Sequence, residues 1–80
     1  MTLNQAFAIR VREILKEKKM TQYRLEQLTG IYHSSMSALL NNKVKASNFN
    51  TMASIISVLG LSLGEFFTHE IFNFENLEID

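Results

Sequence analysis

The sequence predicts an all-α domain of about five short helices. Apolar residues recur at spacings of three and four along most of the chain, the repeat of an amphipathic helix. Residues that commonly cap helix N-termini precede three of these segments, at Thr21, Asn48 and Ser62. Proline is absent and glycine is rare, so no stretch is typical of a linker. Eighty residues are enough for one small core.

The first two helices are predicted from their apolar faces. The face of the first consists of Leu3, Phe7, Val11, Ile14 and Leu15. The cations of the sequence KEKK follow at its C-terminal end, where the helix dipole favours positive charge. Thr21 is the expected cap of the second helix, in which Leu25 and Leu28 face inward. Gly30 then supplies the turn.

The third helix is predicted from about Tyr32 to Leu40. The sequence NNK after it is a suitable stop, because Asn tolerates the left-handed backbone found at many helix C-termini. The fourth helix begins after Asn48 and ends at Gly60. Its buried side is predicted to consist of Phe49, Met52, Ile55, Ile56 and Leu59. A short fifth helix follows Ser62 and holds Leu63, Phe66 and Phe67.

The chain is predicted to divide into a helical domain, residues 1–69, and a C-terminal tail, residues 70–80. The tail is expected to be extended or a frayed continuation of the fifth helix. Its apolar residues exceed what a domain of about 65 residues needs. They are Phe72, Phe74, Leu77 and Ile79. They either cover a second copy of the chain in a homodimer or fold back on their own domain. The group Phe66, Phe67, Phe72 and Phe74 is interpreted as core, not as a ligand site.

The zero net charge hides an uneven distribution. Residues 1–45 hold all eight Lys and Arg and three Glu, a net charge of +5. Residues 46–80 hold five acids and no Lys or Arg, a net charge of −5. This division favours one basic face, suited to a polyanion, and one acidic face.

Composition excludes several classes of site. The chain has no cysteine, so it has neither disulfides nor thiolate metal ligands. The two histidines, His33 and His69, are far apart in sequence, and we expect no metal and no cofactor. The N-terminus lacks a signal-peptide pattern, and no stretch approaches the roughly 20 apolar residues of a membrane span. A soluble, cytoplasmic protein is expected.

Two short helices joined by a tight turn containing Gly30 have the layout of a helix-turn-helix. At 100° per residue, one arc of the third helix holds His33, Ser34, Ser37, Ala38 and Asn41. Met36 and Leu39 point the other way. Small side chains allow the backbone to approach base edges in the major groove, and His, Ser and Asn can donate and accept hydrogen bonds there.

Residues 7–67 resemble the Cro/phage-repressor (Xre-type) family of helix-turn-helix DNA-binding domains. Gln22, Leu25, Gly30 and Ile31 fit the family pattern at the second helix and turn. The sequence VLGLSLGEFF is similar to the family's Leu-Gly-hydrophobic-Ser stretch with its acidic-Phe pair, and HSSMSALLNN is similar to a phage-repressor recognition helix. The resemblance implies a lambda-repressor-like fold.

The resemblance also implies a function and its residues. The chain would bind a double-stranded DNA operator as a small bacterial or phage regulator, with residues 32–40 in the major groove and no small-molecule ligand. Base edges would be faced by His33, Ser34, Ser37 and Ala38. Phosphates would be contacted by Gln22, Asn41, Lys43 and Lys45. A homodimer on a palindromic operator is expected, because one short helix gives too little discrimination over a genome.

Three positions depart from the family pattern. Glu26 stands where Ala is usual, and its carboxylate must reach solvent or find a partner, such as Arg24 or a cation of the first helix. Tyr32 replaces the usual Ser or Thr at the N-cap of the recognition helix, which weakens that cap. Asn42 replaces the usual Gly.

An enzyme and a protein-interaction module are the two other classes of function to compare with the sequence. An enzyme would need a nucleophile beside a base, but Ser34 and Ser35 are helical neighbours of His33 and point away from it. A non-enzymatic domain is therefore expected. The alternative is a helix-turn-helix protein-interaction module, such as an antitoxin or anti-repressor, and the zero net charge fits it slightly better than it fits a typical DNA-binding protein.

Overall fold

The computed structural model describes residues 1–41, 43 and 48–79. These residues form five α-helices and, after them, two 3₁₀ turns at Glu70–Phe72 and Phe74–Asn76. The helices are α1, Leu3–Lys18; α2, Gln22–Thr29; α3, His33–Leu40; α4, Phe49–Val58; and α5, Leu63–Phe67. The described part of the chain contains no strand, and the predicted all-α fold class is confirmed.

Each predicted N-cap makes the expected side-chain hydrogen bond. Thr21 Oγ1 accepts from the Arg24 N–H at 3.1 Å, and Asn48 Oδ1 accepts from the Asn50 N–H at 2.7 Å. Ser62 forms a capping box with Glu65, in which each side chain accepts from the other residue's backbone N–H. These bonds satisfy donors that have no partner within the helix, which explains where α2, α4 and α5 begin.

One core joins all five helices. Each helix contributes at least one fully buried side chain: Phe7, Leu25, Met36, Ile55 and Phe66. Helix α1 packs against α3 and the first 3₁₀ turn, α2 packs against α3 and α4, and α4 packs against α5. Because helices as short as α2 and α3 are marginal on their own, this shared core stabilises them.

Three residues predicted to lie on the buried faces of α1, α2 and α4 are exposed. Leu28 is 44% exposed, because the eight-residue α2 turns only a narrow face to the core and Leu25 fills it. Phe49 is 60% exposed, since it is the first residue of α4 and lies beyond the core. Leu3, the first residue of α1, is exposed for the same reason. Periodicity assigns a face to each residue but does not show where along a helix packing begins.

The tail is neither extended nor a continuation of α5. Its first 3₁₀ turn is closed by a hydrogen bond from the Phe72 N–H to the His69 carbonyl at 3.0 Å. Phe72 packs at the edge of the core, and its ring centroid lies 5.7 Å from that of Phe66 and 4.9 Å from that of Phe67. Phe74 was predicted to be core but is 80% exposed, because the second 3₁₀ turn carries it outward.

The end of the described tail returns to the start of the chain. The Glu78 N–H donates to the Met1 carbonyl at 2.7 Å, and the Met1 ammonium donates to the Asn76 carbonyl at 3.2 Å. The same ammonium lies 3.3 Å from a Glu78 carboxylate oxygen. Residues 70–79 therefore contact their own domain, while Phe74 and Ile79 stay exposed.

Replacing Phe66 with Ala tests the aromatic part of the core. Phe66 is fully buried and lies against Phe7, Phe67 and Phe72. We expect Phe66→Ala to lower the free energy of unfolding by about 3–5 kcal/mol through lost burial and the cavity left behind. The exposed Phe49→Ala is the matched control and should stay within about 0.5 kcal/mol of the original chain. Urea unfolding measures the free energy of unfolding of both variants. An equal decrease in the two would contradict the packing of Phe66 in the core.

The capping box of α5 makes stability depend on pH. Hydrogen bonds from the Ser62 backbone and side chain lower the pKa of Glu65. The stabilisation is therefore complete above the unfolded carboxylate's pKa, about 4.3, and is lost as the pH falls through the lower folded value. We expect Glu65→Gln to be less stable than the original chain near neutral pH and equally stable in strong acid.

Urea unfolding at several pH values between neutral and about pH 2.5 measures this difference. Glu13→Gln, which removes an exposed carboxylate from α1, is the control. A stability difference for Glu65→Gln that did not change with pH would show that the carboxylate charge is not what holds the cap.

Candidate nucleic-acid interface

A tight turn joins α2 to α3. Gly30 ends α2 with a φ of 75°, a left-handed conformation that glycine adopts without strain, and its N–H donates to the Glu26 carbonyl at 2.9 Å. Thr29 Oγ1 donates to the Leu25 carbonyl at 2.8 Å and accepts from the Ile31 N–H at 3.3 Å. These bonds fix the direction in which the chain leaves α2 and enters α3.

The two faces of α3 differ as predicted. Met36, Leu39 and Leu40 are buried in the core. The candidate base-contacting residues lie on other sides of the helix. Among them, His33 and Ser34 are exposed at the amino end, whereas Ser37 and Ala38 are half-buried further along. An approaching ligand would therefore meet His33 and Ser34 first.

Glu26 lies at the junction of α2 and α3. Gln22 Nε2 donates to Glu26 Oε2 at 2.9 Å, and His33 Nδ1 lies 2.9 Å from the same oxygen. The His33 side chain is 77% exposed, whereas that of Glu26 is only 10% exposed. The carboxylate thus holds two candidate site residues from different helices, and neither was predicted to be its partner.

Neither suggested partner of Glu26, Arg24 or a cation of the first helix, is the one it has: its side-chain partners are Gln22 and His33. Arg24 Nη1 instead lies 3.5 Å from Gln27 Oε1, on its own helix. Residues two apart on a helix point to different sides, which explains why Arg24 does not reach the carboxylate. Gln22, four residues before Glu26, shares its side of α2 and can reach it.

The surroundings of Glu26 keep its carboxylate ionised at neutral pH. The hydrogen bond from Gln22 lowers the pKa of Glu26, and the hydrogen bond and charge of His33 lower it further, against the opposing effect of burial. An ionised carboxylate has no proton to donate. It is therefore the acceptor in both of its side-chain hydrogen bonds.

Arg12 of α1 holds the C-terminal end of α3. Its guanidinium donates to the Leu40 carbonyl, at 3.3 Å from Nε and 3.1 Å from Nη2, and Nη2 also donates to Asn41 Oδ1 at 2.8 Å. Asn41 Nδ2 in turn donates to Ser37 Oγ at 3.0 Å. A cation is favourable here because helix carbonyls without partners point towards it. Nothing in the sequence pattern of α1 distinguishes Arg12 from Arg10, so the sequence alone does not predict this contact.

The remaining predicted phosphate contacts lie beyond α3. Lys43 is exposed, and its backbone N–H donates to the Ala38 carbonyl at 2.8 Å, which keeps it next to the helix end. Lys45 and Asn42 lie outside the described residues. The structure thus connects Gln22 to His33 through Glu26, and Ser37 to Asn41 directly.

In the described part of the chain, no three His, Asp or Glu side chains come together in a way that could hold a metal ion. None of the helices there is long and apolar enough to cross a membrane.

Comparisons with known proteins agree with this geometry. A family profile for the Cro/C1-type HTH DNA-binding domain matches residues 10–70. The HTH-type transcriptional regulators PuuR of Escherichia coli (strain K12) and of Shigella flexneri are each 36% identical to the chain over 59 residues, which is 74% of this chain and 31% of theirs. The chain thus spans less than a third of the length of these curated relatives. No solved structure gives a significant match.

The part of the sequence that the family profile matches contains the whole α2–turn–α3 unit. The profile includes Gln22, the turn at Gly30, all of α3 and the aromatic end of α5. The resemblance inferred from the sequence is confirmed, and the chain belongs to the Cro/C1-type helix-turn-helix family of DNA-binding domains.

Proposed function

We propose that this chain binds a specific double-stranded DNA operator and thereby regulates transcription, as a repressor, with α3 in the major groove. The arrangement of α3 carries the proposal. One side of the helix is fixed in the core by Met36 and Leu39, while His33 and Ser34 are exposed at its amino end. A helix held in this way can present small polar side chains to base edges.

Four residues are assigned to bases. His33, Ser34 and Ser37 can each donate or accept a hydrogen bond, and Ala38 offers an apolar contact to a thymine methyl group. His33 and Ser34 project furthest, so they would carry most of the discrimination. Ser37 and Ala38 are half-buried, so they would contact bases only where the helix backbone comes close to the floor of the groove.

Four residues are assigned to phosphates: Gln22, Asn41, Lys43 and Lys45. Gln22 is the first residue of α2, where free backbone N–H groups and the helix dipole favour an anion. Its amide has two N–H bonds, so it can hold Glu26 with one and a phosphate with the other. Lys43 is exposed at the far end of α3 and would contact the backbone there.

The wider biological setting is part of the proposal. The relatives are named as transcriptional regulators, and the profile is that of a DNA-binding domain. A homodimer on a palindromic operator would double the bases read, which one helix of eight residues needs for useful specificity. The chain would act on DNA in the cytoplasm of a bacterium, by binding and not by catalysis.

Base contacts and phosphate contacts should respond differently to mutation. Replacing both His33 and Ser34 with Ala should flatten the preference at one or two operator positions, at a cost of about 1–3 kcal/mol per affected base pair. Lys43→Ala should weaken binding to all sequences nearly equally and reduce the salt slope by about 1. Binding to a panel of single-base operator variants at two salt concentrations measures both effects.

The control is Ser57→Ala, which replaces an exposed serine on α4. It should change neither the base preference nor the salt slope of operator binding. Operators would first be selected from random DNA. If the His33 and Ser34 double variant kept its full base preference, α3 would not read the sequence. The protein-interaction alternative would then be the better explanation.

The exposed apolar residues of the tail test the homodimer. Phe74 and Ile79 are exposed, so Phe74→Ser with Ile79→Ser should leave the fold intact. We expect these changes to shift the chain from dimer to monomer and to weaken operator binding, because buried apolar area supplies most of an association energy. Light scattering of the free chain and of its operator complex measures this. A monomer at high concentration in both conditions, before any mutation, would refute the dimer.

A further inference from the structure

The contact between His33 and Glu26 restricts the chemistry that His33 can offer to a ligand. A neutral imidazole has one ring nitrogen that donates and one that accepts, and the partner of one nitrogen determines the role of the other. Here Nδ1 lies 2.9 Å from a carboxylate oxygen, while the His33 side chain is 77% exposed. The orientation of the ring is thus set from inside the protein, and the rest of the ring is available to solvent.

Glu26 leaves one tautomer for the neutral ring. Its carboxylate is ionised at neutral pH and can only accept, so the proton must be on His33 Nδ1. Nε2 is then an acceptor when the ring is neutral and an N–H donor when the ring is charged. The same Glu26 oxygen also accepts from Gln22 Nε2, so the carboxylate is held from a second direction.

Arg24 and Arg12, from the two helices packed against α3, do not compete for the ring. From α2, Arg24 is directed to Gln27, and Glu26 is the charged group in contact with His33. From α1, Arg12 is bonded to the Leu40 carbonyl and Asn41, at the opposite end of α3. A helix rises 1.5 Å per residue, so Leu40 lies about 10 Å along the axis from His33.

We propose that Glu26 is a positioning residue for DNA recognition: it fixes the proton of His33 on Nδ1 and so sets which base edge Nε2 can contact. With the ring neutral, Nε2 accepts from an amino group, adenine N6 or cytosine N4. With the ring charged, Nε2 donates to an acceptor, such as guanine N7 or O6, adenine N7 or thymine O4. The base contact rests on the function proposed above, whereas the tautomer is a property of the free protein.

Nitrogen NMR of the free protein tests the tautomer without DNA. The spectra correlate carbon-bound ring protons with ring nitrogens. When the ring is neutral, Nδ1 should have the shift of a protonated nitrogen and Nε2 that of an unprotonated one. Glu26→Gln removes the charge but keeps the length of the side chain. Because an amide can also donate, this variant should show a mixture of the two tautomers. Glu17→Gln, which removes an exposed carboxylate from α1, should leave the original pattern.

The spectrum of the original chain alone can overturn the proposal. If neutral His33 carries its proton on Nε2, Glu26 does not fix the ring, whether or not Glu26→Gln folds. An unchanged His33 tautomer in a folded Glu26→Gln would also refute the role of Glu26. Circular dichroism establishes that each variant is folded.

Operators altered at single atoms test the base contact. His33→Ala first identifies the base pair at which preference is lost. At a pH where the NMR shifts show a neutral ring, replacing adenine there with purine, or cytosine with a base lacking the N4 amino group, should weaken binding about fivefold or more. When acid has charged the ring, the need for that amino group should disappear and preference should move towards a base edge that accepts, and a base analogue lacking the contacted acceptor should lose that gain. In Glu26→Gln the change of preference with pH should be much smaller, while Glu17→Gln should behave like the original chain.

The outcomes separate the two proposals. If His33→Ala alters preference at no position, His33 does not read bases, and both this inference and that part of the proposed function fail. If His33→Ala flattens one position, but the preference there is independent of pH and survives Glu26→Gln, DNA reading stands and the role of Glu26 is refuted.

Discussion

The four side chains assigned to bases lie on α3, and they depend on how α3 is held because a helix this short does not persist alone. Isolated helices below about 12 residues are marginal in water, and α3 has eight. Its order comes from burying Met36, Leu39 and Leu40 in a core to which all five helices contribute. The remaining faces are thereby left for polar side chains, so the packing that stabilises the helix also decides which residues can reach a groove.

The two ends of α3 are held by groups of opposite charge from the helices packed beside it. At the amino end, where Tyr32 supplies no side-chain cap, the Glu26 carboxylate contacts His33, the first residue of the helix. At the other end, the Arg12 guanidinium donates to the Leu40 carbonyl. A negative group at the start and a positive group at the end both complement the helix dipole. The same two contacts fix α3 relative to α2 and α1.

The zero net charge is the sum of a basic segment, residues 1–45, and an acidic segment, residues 46–80. The tail closes on the first residues of the chain, where Glu78 pairs with the Met1 ammonium. Arg12, which contacts the end of α3, lies about 15 Å further along the axis of α1 at 1.5 Å per residue. The Glu78 carboxylate is therefore held away from the C-terminal end of α3, which Arg12 contacts. Net charge alone is for this reason a poor guide to what this domain binds.

The sequence by itself determined the helices, the caps at Thr21, Asn48 and Ser62, and the family, because these depend on periodicity and on hydrogen bonds between residues close in sequence. It also separated the buried and polar sides of α3. Only the tertiary structure decided which side chains of different helices meet. Glu26 and His33 are seven residues apart and Arg12 and Asn41 are 29 apart, so no local pattern links either pair. Their contacts exist because α1 and α2 pack against α3, and packing is a property of the whole core.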